Sequence, residues 1–379
     1  MGNEVSDAGR AKEDEKLTII SREFAGDGHG AQGITVAPAA YADERRTFRD
    51  VYMLQSRIGK GSHSQVFRAI ERSTGREVAV KAIHTEWLDR RRLAFLQAEI
   101  DIHREVSPHP FVVRLLGVFN DPEACFIVQE LAHGGSLLEH LHSRDTMETE
   151  EEVRVLLRRM LAAAQFLHDR GIVHRDIKME GYRSIVCTPE NLLIMEKGVM
   201  SSAKLADFGF ATRLEGDFAP GGPAYGTPEY VAPEILLQQP FCGKADVWSA
   251  GVTAFCLLSG KMPFYGLTLD KLYTAILDGA CSYAGTDWAS VGASAKDFVQ
   301  RMLRVDPAER WTTAQLLEHP WMTGGASGPT GTGMGSRRSA RLRSVGLAII
   351  FINRLLAGSG RATIAERSAR QLEQELGSP

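Results

Sequence analysis

The hydrophobic period changes once along this chain, and that change constrains the fold more than any other feature. From Tyr52 to Leu131 the apolar residues come in short runs: YMLQSRI (52–58), SQVFRAI (64–70), EVAVKAI (77–83), VVRLLGVF (112–119) and CFIVQEL (125–131). Such runs predict strands. One segment interrupts them, LDRRRLAFLQAEIDIHREV at 88–106, and its length and spacing predict a helix. Beyond about residue 135 the pattern is mainly helical, as in EEVRVLLRRMLAAAQFLHDRG at 151–171, closed by Gly171. Strands grouped first and helices grouped later predict an α+β chain: a small β-rich lobe with one main helix, a larger helical lobe, and a cleft between them.

A length of 379 residues accommodates one such domain with tails, and 44% hydrophobic with 24% charged residues fits a globular, soluble chain. The net charge of −3 argues against general affinity for nucleic acid. Five cysteines, Cys125, Cys187, Cys242, Cys256 and Cys281, are scattered without a CxxC pair. Neither a zinc site nor a disulfide framework is expected, and a reducing intracellular compartment is the simpler reading. The most apolar run, VGLAIIFI at 345–352, falls far short of the ~20 residues that span a bilayer, and the polar N-terminus is unlike a secretory signal. Residues 1–47 read as a disordered arm, 48–322 as the folded domain, 323–336 (TGGASGPTGTGMGS) as a flexible linker, 337–356 as a helix and 357–379 as a polar tail.

Several stretches carry chemistry. Gly59-Lys60-Gly61-Ser62, between two strands, lets backbone N–H groups approach phosphate oxygens, with an ordinary glycine-rich turn as the plain alternative. Val78-Ala79-Val80-Lys81 ends an apolar strand on a lysine, which gains meaning if an acid on the next helix fixes its ammonium; Glu99, mid-helix, is better placed than Glu105. Asp207-Phe208-Gly209 offers a carboxylate to a hard cation such as Mg²⁺. Further on come Gly226-Thr227-Pro228-Glu229-Tyr230-Val231-Ala232-Pro233-Glu234, then Asp246-Val247-Trp248-Ser249-Ala250-Gly251, and finally Asp306-Pro307-Ala308-Glu309-Arg310, whose arginine is a candidate for a buried pair with Glu234. Between Lys81 and Asp207 stand His174-Arg175-Asp176-Ile177-Lys178 and Pro189-Glu190-Asn191-Leu192-Leu193, separated by ten residues, MEGYRSIVCT (179–188).

In this order, from Val51 to Met322, the chain resembles the eukaryotic protein kinase family, with the HRD, DFG, APE and DxWSxG elements intact. Lys178 and GTPEY resemble the Ser/Thr branch; the HPWM ending and the EIDIHREV helix resemble the calcium/calmodulin-dependent group. The resemblance implies the bilobal kinase fold, ATP and Mg²⁺, and transfer of the γ-phosphoryl group to Ser/Thr hydroxyls of protein substrates. It implies that Gly59, Lys60, Gly61 and Ser62 cover the phosphates and that Lys81, held by Glu99, binds the α- and β-phosphates. Adenine is expected between Val66, Ala79 and Leu193, against a hinge at Glu130–Ala132. Asp176 takes the substrate hydroxyl proton, Lys178 neutralises the transferred group, and Asn191 and Asp207 hold Mg²⁺.

Several positions depart from the family pattern. Residues 179–188 admit three readings: a retained intron or gene-model error, which is favoured because both flanks are unaltered; a real surface loop with activity kept; or inactivation through a misplaced Asn191, which makes the chain a kinase-fold scaffold. Ser64 stands at the third glycine of the phosphate loop. Ser136 replaces an acid after the hinge glycines, with Glu139 one turn along as a partial substitute. His103 replaces an apolar residue of the inter-lobe stack. No Ser or Thr lies between Thr212 and Thr227, and Pro223 occupies the usual phosphorylation position, so Arg175 has no evident phosphate to pair with.

The ends carry two further expectations. Met1-Gly2-Asn3-Glu4-Val5-Ser6 fits the N-myristoylation pattern; one acyl chain gives marginal, reversible membrane binding, so the expected location is cytoplasmic with peripheral membrane association. In 337–356, Leu342, Val345, Ile349, Ile352 and Leu356 share one helical face behind a cluster of arginines, and Leu347, Phe351 and Leu356 fit a 1-5-10 anchor spacing. This segment resembles the autoinhibitory, calmodulin-binding helix of calmodulin-dependent kinases, with a packed or membrane-surface helix as alternatives. No DxDxDG calcium loop is present, and there is no room for a large association domain, so a monomer is expected. Ser344, behind Arg341 and Arg343, reads as a self-phosphorylation candidate.

Overall fold

A computed structural model describes residues 46–60, 64–85, 88–121, 124–143, 149–177, 191–221 and 228–324. Gly2, Gly61, Ser62, Lys178, the 179–188 interruption, Pro223, Thr227, the 337–356 segment and Ser344 lie outside the described residues. The described chain divides into two compact units. One takes the residues up to Glu105 together with Arg114–Leu131, and the other takes Val106–Val113 and the residues from Ala132 onward. This is the α+β, two-unit arrangement expected from the change of period.

The first unit is a five-stranded antiparallel sheet in the order β1-β2-β3-β5-β4, formed by β1 (Tyr52–Lys60), β2 (Ser64–Glu71), β3 (Glu77–His84), β4 (Leu115–Asn120) and β5 (Ala124–Glu130), with helix α1 (Arg90–Val106) inserted after β3. Alternation gives the sheet two apolar faces. Val78, Val80 and Ala82 of β3 join Leu54, Phe67, Ala69, Phe126 and Val128 in one cluster, closed by Phe48, whose ring stacks on Phe126 at 4.3 Å. Ile83, Cys125 and Ile127 face the other way and meet Leu93, Leu96 and Ile100, the i, i+3, i+7 stripe of α1. Asp89 caps that helix, accepting from the Arg92 amide at 2.7 Å.

Two boundaries around the first unit differ from the sequence reading. Thr47, assigned to the arm, instead caps the single helical turn Phe48–Val51, its amide donating to Asp50 Oδ2 at 2.8 Å. The apolar run 112–119 is shared between the units. Its strand starts at Leu115, while Val112 bridges Leu205 and the Val113 amide donates to the Leu205 carbonyl at 2.8 Å. A continuous apolar run records burial and not which neighbour does the burying.

The second unit contains α2 (Leu137–Ser143), α3 (Glu150–His168), the strand pairs β6 (Ile172–Val173) with β9 (Thr212–Arg213) and β7 (Leu192–Ile194) with β8 (Ala203–Leu205), then α4 (Lys244–Ser259), α5 (Leu269–Leu277), α6 (Ala293–Met302) and α7 (Thr313–Leu317). A Thr149–Glu152 capping box starts α3, which buries Val153, Leu156, Leu157, Met160, Leu161, Ala164 and Leu167. Every residue of α4 from Ala245 to Ser259 is buried. Its hydroxyls are satisfied internally: Ser249 donates to the Tyr230 carbonyl and Ser259 to the Phe255 carbonyl. α6 packs close against Gly251, where a Cβ would lie 2.8 Å from that of Met302. Thr323, placed in the linker by sequence, ends the last helical turn, Pro320–Thr323. No helix among the described residues is long and apolar enough to cross a membrane.

Candidate active site

In the first unit, the register of three strands sets out the nucleotide-type residues. Directly opposed residues of an antiparallel sheet share a face. Gly59 lies opposite Val66, Val66 opposite Lys81 and Lys81 opposite Ile127, while Ala79 lies between Arg68 and Gln129. Val66, Ala79 and Lys81 therefore share the face that carries α1. Lys81 Nζ reaches Glu99 Oε1 at 2.6 Å, with both side chains mostly buried. Glu99 rather than Glu105 is the partner because it lies one residue before Ile100, on the stripe that seats α1 on the sheet. Cys125, on the same face, is a core thiol: burial, then the negative charge of Glu99, push it up to about 12 against the opposing pull of Lys81. Glu130 is tied to its own strand pair, its carboxylate accepting from the Arg114 amide at 2.7 Å.

In the second unit the chain after Glu130 turns at Ala132–Gly135 and is stitched to β7. The Gly134 amide donates to the Ile194 carbonyl at 2.9 Å and the Ile194 amide to the Gly135 carbonyl at 2.8 Å, which sets Ser136 opposite Leu193. A Cβ at Gly134 would lie 2.6 Å from Ile194 Cγ2, so only glycine allows this approach.

The acids lie on the two strand pairs. After β6 comes His174-Arg175-Asp176; just before β7 stands Asn191; just after β8 come Ala206 and Asp207. Asn191 Nδ2 donates to the Asp176 carbonyl at 2.7 Å and to its Oδ2, although 15 residues separate them in sequence. The Ala206 amide donates to the Asn191 carbonyl at 2.9 Å, which brings Asp207 to the same corner. His174 links the rest. Its Nδ1 accepts from the Asp176 amide at 3.3 Å, which leaves Nε2–H to donate to the Ala206 carbonyl at 3.1 Å. Its ring meets the buried Phe208 edge to face at 5.2 Å. Arg175 (φ 67°) and Asp207 (φ 59°) both occupy the left-handed region, at a cost of about 1–3 kcal/mol each that surrounding contacts must offset. Asn191 is fully buried and its Oδ1 has no hydrogen-bond partner among the described residues, an acceptor left over beside the Asp176 carboxylate.

One residue that organises this corner has no role in the sequence reading. Asp246, buried in the first turn of α4, accepts from the His174 amide at 2.9 Å, the Arg175 amide at 2.8 Å and His168 Nε2 at 2.9 Å. Burial by itself pushes its carboxyl up, but the hydrogen bond and attraction of His168, then those of His174, outweigh it and leave the carboxyl below its ordinary value. The available signal was a charged residue inside an otherwise apolar helix.

The family model described as protein kinase domain matches residues 52–322. The chain belongs to the protein kinase family. Its relatives put the kinase domain in the Ser/Thr branch, with the calcium/calmodulin-dependent group. It is 39% identical over 272 residues to the serine/threonine-protein kinase H1 homolog of Danio rerio, covering 72% of this chain and 61% of the relative. It is 35% identical over 286 residues to the calcium/calmodulin-dependent protein kinase type II alpha chain of Drosophila melanogaster (76% and 51%), and 36% identical over 277 residues to the type 1B enzyme of Rattus norvegicus (73% and 76%). The chain thus spans less than two thirds of the H1 relatives' length.

Two departures within the kinase domain and one expected ion pair acquire a geometry. Glu139, the partial substitute expected for the acid missing at Ser136, is engaged in a cap. Its Oε2 accepts from the Ser136 amide at 2.9 Å while Ser136 Oγ accepts from the Glu139 amide at 3.1 Å, a capping box that starts α2. His103 is buried. The pair proposed for Arg310 and Glu234 is bidentate, at 2.7 and 2.9 Å, with both side chains buried.

Proposed function

We infer that the chain is a Ser/Thr protein kinase that moves the γ-phosphoryl group of ATP to hydroxyls of protein substrates. The observation that carries this reading is Asn191, pinned to Asp176 with a buried Oδ1 to spare. That amide oxygen and the Asp207 carboxylate are the hard donors that Mg²⁺ takes, so the residues fit the ion. When bound, Mg²⁺ supplies charge neutralisation on the phosphates. Asp176 accepts the proton of the substrate hydroxyl as its oxygen bonds to the γ-phosphorus, and the bond from that phosphorus to the β–γ bridging oxygen breaks to release ADP. Lys81, its ammonium fixed by Glu99, offers positive charge to the α- and β-phosphates, and Lys178 offers it to the transferred group. Val66, Ala79 and Leu193 are the adenine contacts of this reading, with Gly59, Lys60, Gly61 and Ser62 over the phosphates.

The second reading is a kinase-fold scaffold, impaired by residues 179–188. The Asp176–Asn191 hydrogen bonds across those residues support the enzyme instead. The test is transfer of ³²P from Mg-ATP to casein. The full chain is expected to be active, Asp207→Ala to lose at least about a thousandfold, and deletion of 179–188 to preserve or raise activity. An inactive full chain with an active deletion would establish the scaffold reading.

Regulation by calmodulin is the finer reading, supported by the relatives' printed names and by the basic amphipathic segment 337–356. Truncation after Gly324 is expected to give activity independent of Ca²⁺ and calmodulin. A 337–356 peptide should bind Ca²⁺-calmodulin, and Phe351→Asp should weaken that binding roughly tenfold or more, as removal of a buried aromatic anchor does. No binding at micromolar calmodulin would remove this part of the reading and leave the kinase itself standing.

A further inference from the structure

We propose that Phe241 is the positioning residue for Arg175, and through it for Asp176, in place of a phosphate on the segment that follows Asp207-Phe208-Gly209. Kinase loops are often ordered by a new arginine–phosphate pair. Here residues 213–226, RLEGDFAPGGPAYG, hold no Ser or Thr, and their one hydroxyl is Tyr225. The Arg175 guanidinium lies instead over the Phe241 ring, 5.2 Å from its centroid, within the range where a cation is attracted to an aromatic face.

The ring is well placed for this task. Phe241 is 4% exposed. Its backbone exchanges both hydrogen bonds with Ala219, at 3.1 and 2.8 Å, and Ala219 follows the turn closed by Glu215 and Phe218. Phe241 thus touches the catalytic loop through its ring and the segment after Gly209 through its backbone. Arg175 needs holding at both ends, because its φ of 67° is unfavourable for a side chain of that size. Asp246 holds the backbone amide and Phe241 the guanidinium. Rotation of Arg175 toward an ordinary φ would swing the adjoining Asp176 away from Asn191.

The activity arm of the test rests on the kinase reading; the exchange arm does not. Phe241→Leu keeps bulk and hydrophobicity but removes the aromatic face, Phe241→Tyr keeps the face, and Phe298→Leu, on α6, is the control for a core aromatic lost elsewhere. Hydrogen–deuterium exchange of the 172–177 amides in the full chain should rise about tenfold in Phe241→Leu. It should return toward wild type in Phe241→Tyr and stay at wild type in Phe298→Leu. With casein and Mg-ATP, kcat should fall about tenfold in Phe241→Leu with KM for ATP within about twofold, and phosphatase treatment of the wild type should leave kcat unchanged. Equal exchange in Phe241→Leu and Phe298→Leu, or a phosphatase-sensitive kcat, overturns the proposal. A wild type no more active than Asp207→Ala, with exchange still responding to Phe241→Leu, supports the positioning role and removes the kinase reading.

Discussion

Asp246→Ala is expected to cost at least about 100-fold in kcat, because displacing a reacting group by even ~1 Å has that effect. The substitution removes the acceptor for the His174 and Arg175 amides and for His168 Nε2, and with it a contact that holds Arg175 in its left-handed conformation. Each buried donor left unpaired costs about 1–3 kcal/mol, so the melting temperature falls as well. Asp246→Asn should lie between the two, since an amide presents one acceptor and adds a donor facing N–H groups. The pH dependence has a definite sign. The folded carboxyl titrates below its ordinary value. Its stabilisation is therefore fully present above the unfolded value of about 3.9 and is lost as pH falls from there through the lower folded value. Thermal melts of wild type and Asp246→Asn should converge as pH drops below about 4. A kcat unchanged in Asp246→Ala would mean that Asp246 does not hold the catalytic loop.

Arg310→Ala should lower the unfolding free energy by roughly 3–5 kcal/mol, the usual consequence of stranding one member of a buried ion pair. All five of its N–H donors are used. Nη1 serves Glu234 Oε1 at 2.7 Å and the Lys244 carbonyl at 2.8 Å; Nη2 serves Glu234 Oε2 at 2.9 Å and the Val305 carbonyl at 3.1 Å; Nε serves the Arg304 carbonyl at 2.9 Å. The guanidinium also lies 5.1 Å from the Trp248 ring centroid. A drop on the order of 10 °C in calorimetry is expected for a domain of this size. Arg310→Lys should not rescue it, because a point charge cannot reproduce the fork. The double variant Glu234→Gln with Arg310→Met should be less harmful than Arg310→Ala, since no buried charge is then left unpaired. A loss under about 1 kcal/mol in Arg310→Ala would show the pair to be dispensable.

Much of this was legible in order along the chain. Alternation in 52–58, 64–70 and 77–83 is a local property, so β1, β2 and β3 follow from it; the 3.6-residue stripe at Leu93, Leu96 and Ile100 gives α1, and that stripe is why Glu99 rather than Glu105 meets Lys81. Caps are equally local, and Thr149 with Glu152, or Ser136 with Glu139, are pairs three residues apart. What the sequence alone determined is therefore the succession of elements and the identity of the acids and bases. Only the tertiary structure decided the rest. It divided 112–119 between two units, turned Glu139 inward as a cap, brought Asp176 and Asn191 into contact across the interruption, and placed Asp246 and Phe241 under the catalytic loop. The physical reason is that local preferences are set by neighbours within about a helical turn, whereas a buried carboxylate or a ring beneath an arginine is selected by the donors that reach it from 70 residues away.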